Sequence, residues 1–198
     1  MNFADPLLLE AMTTFKEKFA RIADLGLREP AAMSLATAGA DGRPSVRTVL
    51  LRGIDERGFV FFTNSQGRKG RQIAENPGVG LCLYWDQLQE QIHVEGLVEK
   101  ITESESDAYW ARRARLSRIG AWASEQSRPL DRRETLLERV AHYERLFEGQ
   151  DVPRPEHWFG HRVVPHRIEF WNGRDGRLHE RLVYQLEGEC WIKGMLFP

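Results

Sequence analysis

The side chains of this sequence that could do chemistry are mainly arginines, grouped in four stretches. "RTVLLR" sets Arg47 and Arg52 five positions apart, so a regular strand would point them to opposite faces and they are not expected to hold one anion by the same face. Two exposed strand-edge arginines would give the same pattern. "TNSQGRKGRQI" follows a strand with a Gly-containing turn and opens a helix on Arg68 and Lys69. Free N–H groups at a helix start, joined by a guanidinium and an ammonium, make a phosphate site. Cations are disfavoured at that end of a helix unless an anion offsets them. "YWARRARLSRIGAWASEQS" places Tyr109, Arg113 and Ser117 at i, i+4 and i+8, one face of a helix on which a phenol, a guanidinium and a hydroxyl could grip a phosphate. An exposed basic face would read the same way, and Gln126 and Ser127 follow at the expected helix end. In "IEFWNGRDGRLHERLVY", Trp171 ends one strand and the next begins at Arg177. Alternation then puts Arg177, His179 and Arg181 in one row and Leu178 and Leu182 on the packing side. That row is either a solvated face or, with the indole beside it, a surface for a planar anion.

Several chemistries lack their signature. There is no GxGxxG after a strand, no GxxxxGK[ST], no HExxH and no GxSxG. The six histidines are scattered, so no metal is expected. Cys82 and Cys190 form no CxxC pair, which fits a reducing compartment. What remains is more than one phosphate-sized site beside planar surfaces. That combination suits a phosphorylated cofactor and a phosphorylated substrate bound side by side.

The elements that must position these groups follow from periodicity. Residues about 5–26 read as a helix capped by Asp5, with Leu8, Met12, Phe15, Phe19 and Ile22 as its core stripe. "AAMSLATA", "SVRTVLLR", "FVFFT", "VGLCLYW" and "EQIHVEGLVEKI" read as strands joined by tight turns, with a short helix at "RKGRQIAENP" and a bulge at Gly96. A helical insertion at about 103–148 holds "ESESDAYWARRAR" and "DRRETLLERVAHYERLFEG", before three last strands, "HRVVPHRIEFW", "RLHERLVYQL" and "CWIKGML". About eight strands in runs, with four or five helices, predict a β-rich α+β fold: an antiparallel barrel with flanking helices, in one domain over 1–198. The net charge of −1 argues against a nucleic-acid partner. No apolar run is long enough to span a membrane, and no signal peptide is evident, so the expected location is cytoplasmic.

These stretches together resemble the pyridoxine (pyridoxamine) 5′-phosphate oxidase family. "IEFWNGRDGRLHER" is similar to its C-terminal signature, and "RTVLLR", "FFTNSQGRKGRQIAENP", "QIHVEG", "SRIGAWASEQS" and "WFGHRV" match in order from about Asp5 to the C-terminus. The resemblance implies a split-barrel FMN enzyme working as a homodimer, with flavin at the subunit interface. It implies oxidation of pyridoxine or pyridoxamine 5′-phosphate to pyridoxal 5′-phosphate, with O2 as acceptor and hydrogen peroxide as product. Carried over by position, FMN would be held by Arg47, Thr48, Val49, Leu50, Phe62 and Thr63, then Arg68 and Lys69. Gln91, Gln126, Ser127, Trp171 and Arg181 would complete that site. Arg52, Tyr109, Arg113 and Ser117 would hold the substrate phosphate, and Arg177 and His179 would contact the reacting ring as the catalytic pair. Three departures are visible: Arg52 where lysine is usual, Phe62 for a common tyrosine, and "GMLFP" for an Arg-Leu-x-Pro ending; as a fourth, the basic N-terminal segment of the family is expected to be missing. Two other readings compete: a related FMN oxidase acting on another substrate such as a phenazine precursor, and a flavin-binding protein without catalysis.

Overall fold

The computed structural model describes residues 2–22 and 25–198. The chain opens with helix α1 (Pro6–Ile22), whose first turn is capped by the Asp5 carboxylate accepting from the N–H groups of Leu7 (2.9 Å) and Leu8 (3.4 Å). The helix is thus shorter than the expected 5–26, and Ala23 and Asp24 lie outside the described residues. Leu8, Ala11, Met12, Phe15 and Ile22 are buried, and the Phe15 ring meets Phe59 edge-on at 4.8 Å. Each such aromatic or aliphatic side chain contributes roughly 1.5–3 kcal/mol by leaving water.

Strands β1 (Ala32–Ala38), β2 (Pro44–Leu50), β3 (Gly53–Asp55) and β4 (Gly58–Asn64) come next, then α2 (Arg68–Glu75), β5 (Gly78–Trp85) and β6 (Glu90–Lys100). The last strands are β7 (Trp158–Asn172), β8 (Glu180–Glu187) and β9 (Cys190–Leu196). The sheet runs β2-β1-β5-β6-β7-β4-β3, with β8 on β7 and β9 on β8, and every pairing is antiparallel. The path ends on β2 and β3, which are consecutive in the chain, and the Arg52 N–H donates to the Val60 carbonyl at 2.8 Å. The sheet therefore curls into the expected antiparallel split barrel, with helices outside it. Its ninth strand is the three-residue β3, too short for periodicity to reveal. The ladder of β6 on β7 shifts register at Glu95/Gly96. A Cβ on Gly96 would stand 2.3 Å from the Val164 carbonyl oxygen, which is why the bulge carries glycine.

The insertion departs from expectation. The one helix expected from "ESESDAYWARRAR" on to Ser117 is in fact two, α3 (Glu103–Ala111) and α4 (Arg115–Ala123), followed by α5 (Arg133–Leu146). Trp110 and Ile119 are nine positions apart, about 180° around a straight helix. Breaking the helix at 112–114 lets both bury in one cluster with Val152 and Trp158. Tyr109, Arg113 and Ser117 therefore do not share one continuous helical face. No helix among the described residues is long and apolar enough to cross a membrane, and no cluster of metal-ligating side chains occurs among them.

Candidate functional site

A cavity of about 610 Å³ opens between the barrel and the insertion. Thr48, Val49 and Leu50 reach it from β2, Phe62 and Thr63 from β4, Lys69 from α2, and Gln126 from the turn after α4. Arg52, Tyr109, Arg113 and Ser117 line the same space, so the break between α3 and α4 brings together what a straight helix was expected to align. Three cations line this cavity and no carboxylate does. In a chain of net charge −1, that is a local concentration of positive charge.

The electrostatics show the cost of this arrangement. Burial, then the charge of Arg47, pulls the Lys69 ammonium down to about 8. Burial and the charge of Arg68 lower Arg47 in turn. Among the described residues none of Arg47, Arg68 and Lys69 has a carboxylate partner. Lys69 donates to Gln126 Oε1 at 2.7 Å, and Arg47 donates to the Leu35 carbonyl (3.1 Å) and Thr37 Oγ1 (2.6 Å). Neutral acceptors orient these cations without cancelling them. Gly67, which precedes α2, has no room for a side chain: its Cβ would sit 2.4 Å from Gln126 Oε1. Arg47 and Arg68 are not among the cavity's lining residues. Ser127 is held at φ +68 and faces a smaller neighbouring cleft.

Phe62, Tyr109 and Trp158, which line the same cavity, form a stack, with Phe62 3.9 Å from Tyr109 and 5.1 Å from Trp158. The Arg113 guanidinium lies over Trp158 at 4.7 Å and Trp110 at 5.6 Å, and its Nη2 donates to the Ser117 carbonyl at 3.2 Å. Its Nε is buried without a partner. Burial lowers its pKa, and Arg52 adds to that.

The C-terminal groups lie elsewhere. Trp171, Arg177 and His179 line a separate shallow cleft with Tyr84 and Gln89. The expected strand from Arg177 does not form. Residues Asp175–Arg177 make a short 3-10 turn with Gly176 and Arg177 both at φ +64, and β8 begins only at Glu180. The row Arg177, His179, Arg181 along one strand is therefore corrected, and Leu178, assigned to the packing side, is 74% exposed. The turn "NGRDG" takes more chain than a hairpin because the Arg174 N–H donates to His179 Nδ1 at 3.1 Å and the Leu178 N–H to the Asp175 carbonyl. An imidazole nitrogen that accepts carries no hydrogen, so the neutral ring presents its N–H at Nε2. Of the three arginines here, Arg174 is paired with Glu180 and Arg181 with Glu169. Arg177 has no partner among the described residues.

A different row exists, running across strands. Gln91 on β6 lies opposite Trp171 on β7, which lies opposite Arg181 on β8. Tyr84 on β5 extends it on the other side. Sequence reading missed Tyr84, Gln89, Asn64, Ser124 and Trp158. For Tyr84 the only signal is strand register, whereas Trp158 stood in plain view just before "FG".

The sequence profile described as pyridoxamine 5′-phosphate oxidase matches residues 20–146, and that of the pyridoxine 5′-phosphate oxidase C-terminal dimerisation region matches 158–198. A pyridoxine/pyridoxamine 5′-phosphate oxidase of Rubrobacter xylanophilus is 54% identical over 98% of this chain and 88% of its own length. One from Myxococcus xanthus is 53% identical over 93% of this chain and 89% of its own. Among solved structures, PhzG of Burkholderia lata 383 in complex with tetrahydrophenazine-1-carboxylic acid superposes with a TM-score of 0.89, at 37% identity, over 98% of this chain and 93% of that one.

Proposed function

The chain belongs to the pyridoxamine 5′-phosphate oxidase family, and from that premise we propose that it is an FMN-dependent oxidase of pyridoxine 5′-phosphate and pyridoxamine 5′-phosphate. The observation that carries the substrate assignment is the cavity lined by Arg52, Lys69 and Arg113 with no carboxylate. Two phosphorylated ligands side by side would divide these three cations between them.

The residues present fit the phosphate of FMN. Burial and a neighbouring cation depress both Arg47 and Lys69, and no carboxylate relieves either. A dianion at the start of α2 would do so. Thr48 to Leu50, Phe62, Thr63, Gln126 and Ser127 would hold the rest of the cofactor from this chain. Gln91, Trp171 and Arg181 stand in their own row, apart from that cavity, which supports a homodimer in which flavin lies where two subunits meet.

The chemistry FMN supplies when bound is acceptance of a hydride from the substrate carbon bearing the alcohol or amine, with O2 as final acceptor and hydrogen peroxide as product. The protein's own contribution is position and charge. Arg52, Tyr109, Arg113 and Ser117 would anchor the substrate phosphate. Arg177, unpaired in its turn, would place its guanidinium on the substrate ring. His179 would donate from Nε2 to a ring substituent, its tautomer fixed by the Arg174 N–H. The two free cysteines accord with a cytoplasmic location.

The likeness to PhzG keeps a second substrate class in play. A ring without a phosphate has no use for the Arg52–Arg113 end of the cavity, which favours the phosphorylated vitamers. Steady-state rates with pyridoxine 5′-phosphate against pyridoxine separate the two. The proposal expects at least a hundredfold preference for the phosphorylated compound, and equal kcat/KM for both would overturn it.

A further inference from the structure

Glu169 on β7 is a buried carboxylate that the proposed reaction does not use. Its side chain is 5% exposed. Oε1 accepts from Arg181 Nε at 2.7 Å, and Oε2 accepts from Arg181 Nη2 at 3.1 Å and Arg167 Nη2 at 2.5 Å. Arg167 continues to Glu95 Oε1 at 3.1 Å. Burial alone would raise the Glu169 carboxyl, but the hydrogen bonds from Arg181 and Arg167 outweigh it and hold it below its ordinary value.

Register explains the geometry. Trp171 and Arg181 are directly opposite each other, and Glu169 is two residues back along β7 on the same face, opposite Val183. Arg181 therefore reaches diagonally to Glu169. The contact is a bidentate fork, which fixes the plane of the guanidinium as well as its place. A third donor, Nη1, goes to the Phe197 carbonyl at 3.0 Å. A guanidinium has five N–H donors, so three are engaged and two remain, both on the terminal nitrogens. Stability alone gives a weak reason for such a cluster, because well-packed apolar residues would serve a buried position as well or better. What apolar residues could not do is hold an arginine in one orientation within the row of Gln91 and Trp171.

We propose that Glu169 is a positioning residue for the flavin site, acting through Arg181: it fixes the guanidinium so that the remaining Nη hydrogens face the ligand, while Arg167 balances its second oxygen. The inference rests on the proposed flavin role of Arg181. The test measures the FMN dissociation constant of apoprotein by flavin fluorescence, with dimer mass and melting temperature of the FMN-free protein recorded alongside. Glu169→Gln is expected to weaken FMN at least tenfold with the dimer retained, Arg181→Gln to do the same, and the double variant to match Arg181→Gln within about twofold. Should Glu169→Gln fail to fold, Glu169→Asp keeps the charge and shortens the reach. It is then expected to weaken FMN severalfold in the parent and not at all in the Arg181→Gln background. A tenfold further loss on adding either Glu169 change to Arg181→Gln would overturn the proposal, since Glu169 would then act on its own. Unchanged FMN affinity in the Glu169 variants with a loss in Arg181→Gln would overturn the proposal alone. Unchanged affinity in Arg181→Gln would remove the flavin role of Arg181, and the proposal with it.

Discussion

Replacing Arg113 with alanine should raise KM for phosphorylated substrate and leave FMN affinity intact. The guanidinium is held by the Trp158 and Trp110 rings and by the Ser117 carbonyl, none of which neutralises it. Its buried Nε lacks a partner, so a substrate phosphate would satisfy a donor that is now idle. A hydrogen bond to a charged group contributes about 1.5–3 kcal/mol, or roughly 10- to 150-fold in affinity. Arg52 is close enough to depress Arg113, so its charge will cover part of the loss and the effect should lie nearer the lower figure. Arg113→Lys would keep the charge and lose the planar stacking, and should recover part of the KM. Oxygen uptake against pyridoxine 5′-phosphate concentration gives KM and kcat, and flavin fluorescence on apoprotein gives the FMN dissociation constant. An unchanged KM, or loss of flavin, would refute the division of the cavity into a cofactor end and a substrate end.

Four further outcomes are expected. With Lys69 at about 8 before any anion binds, FMN affinity of the apoprotein should fall as pH rises through 8, and Lys69→Arg should flatten that profile. In the same window, from about 8 to 10.5, the unfolded chain binds the extra proton, so the melting temperature of apoprotein should carry an opposite, rising contribution. Gly67→Ala should weaken FMN, because its Cβ would displace Gln126 and with it the acceptor for Lys69; equilibrium titration of apoprotein with FMN checks this. Burial lowers His161 to about 4 from 6.5. Stability should therefore be lost as pH falls through that interval, by up to about 3 kcal/mol, and His161→Phe should shift the acid-unfolding midpoint downward.

The pattern of strands in runs was enough to reach the barrel, because alternation and tight turns are local properties. What pairs with what is not local, and the errors gather there. Arg177, His179 and Arg181 looked like a row because they alternate in sequence. The row that forms is Gln91, Trp171, Arg181, from three strands whose register no single segment encodes. Tyr109, Arg113 and Ser117 were grouped by a helical period that does not persist, since burying Trp110 and Ile119 together breaks the helix. They still meet at the cavity, for a tertiary reason. That Arg68 and Lys69 open a helix could be read without tertiary knowledge, because the Gly-containing turn and the helical pattern lie within a few residues of chain. Glu169 gave no such signal: a Glu in "IEFW" reads as a strand residue until Arg167 and Arg181 are seen to close on it.

Oxidation of a phosphorylated B6 vitamer through FMN is the reaction assigned to this chain. The most direct measurement is stoichiometric: FMN-loaded protein, pyridoxamine 5′-phosphate and air-saturated buffer, with oxygen uptake, hydrogen peroxide and pyridoxal 5′-phosphate followed together. One pyridoxal 5′-phosphate and one hydrogen peroxide are expected for each O2 consumed, with ammonia released. Protein that holds FMN yet forms no pyridoxal 5′-phosphate from either the amine or the alcohol would contradict it.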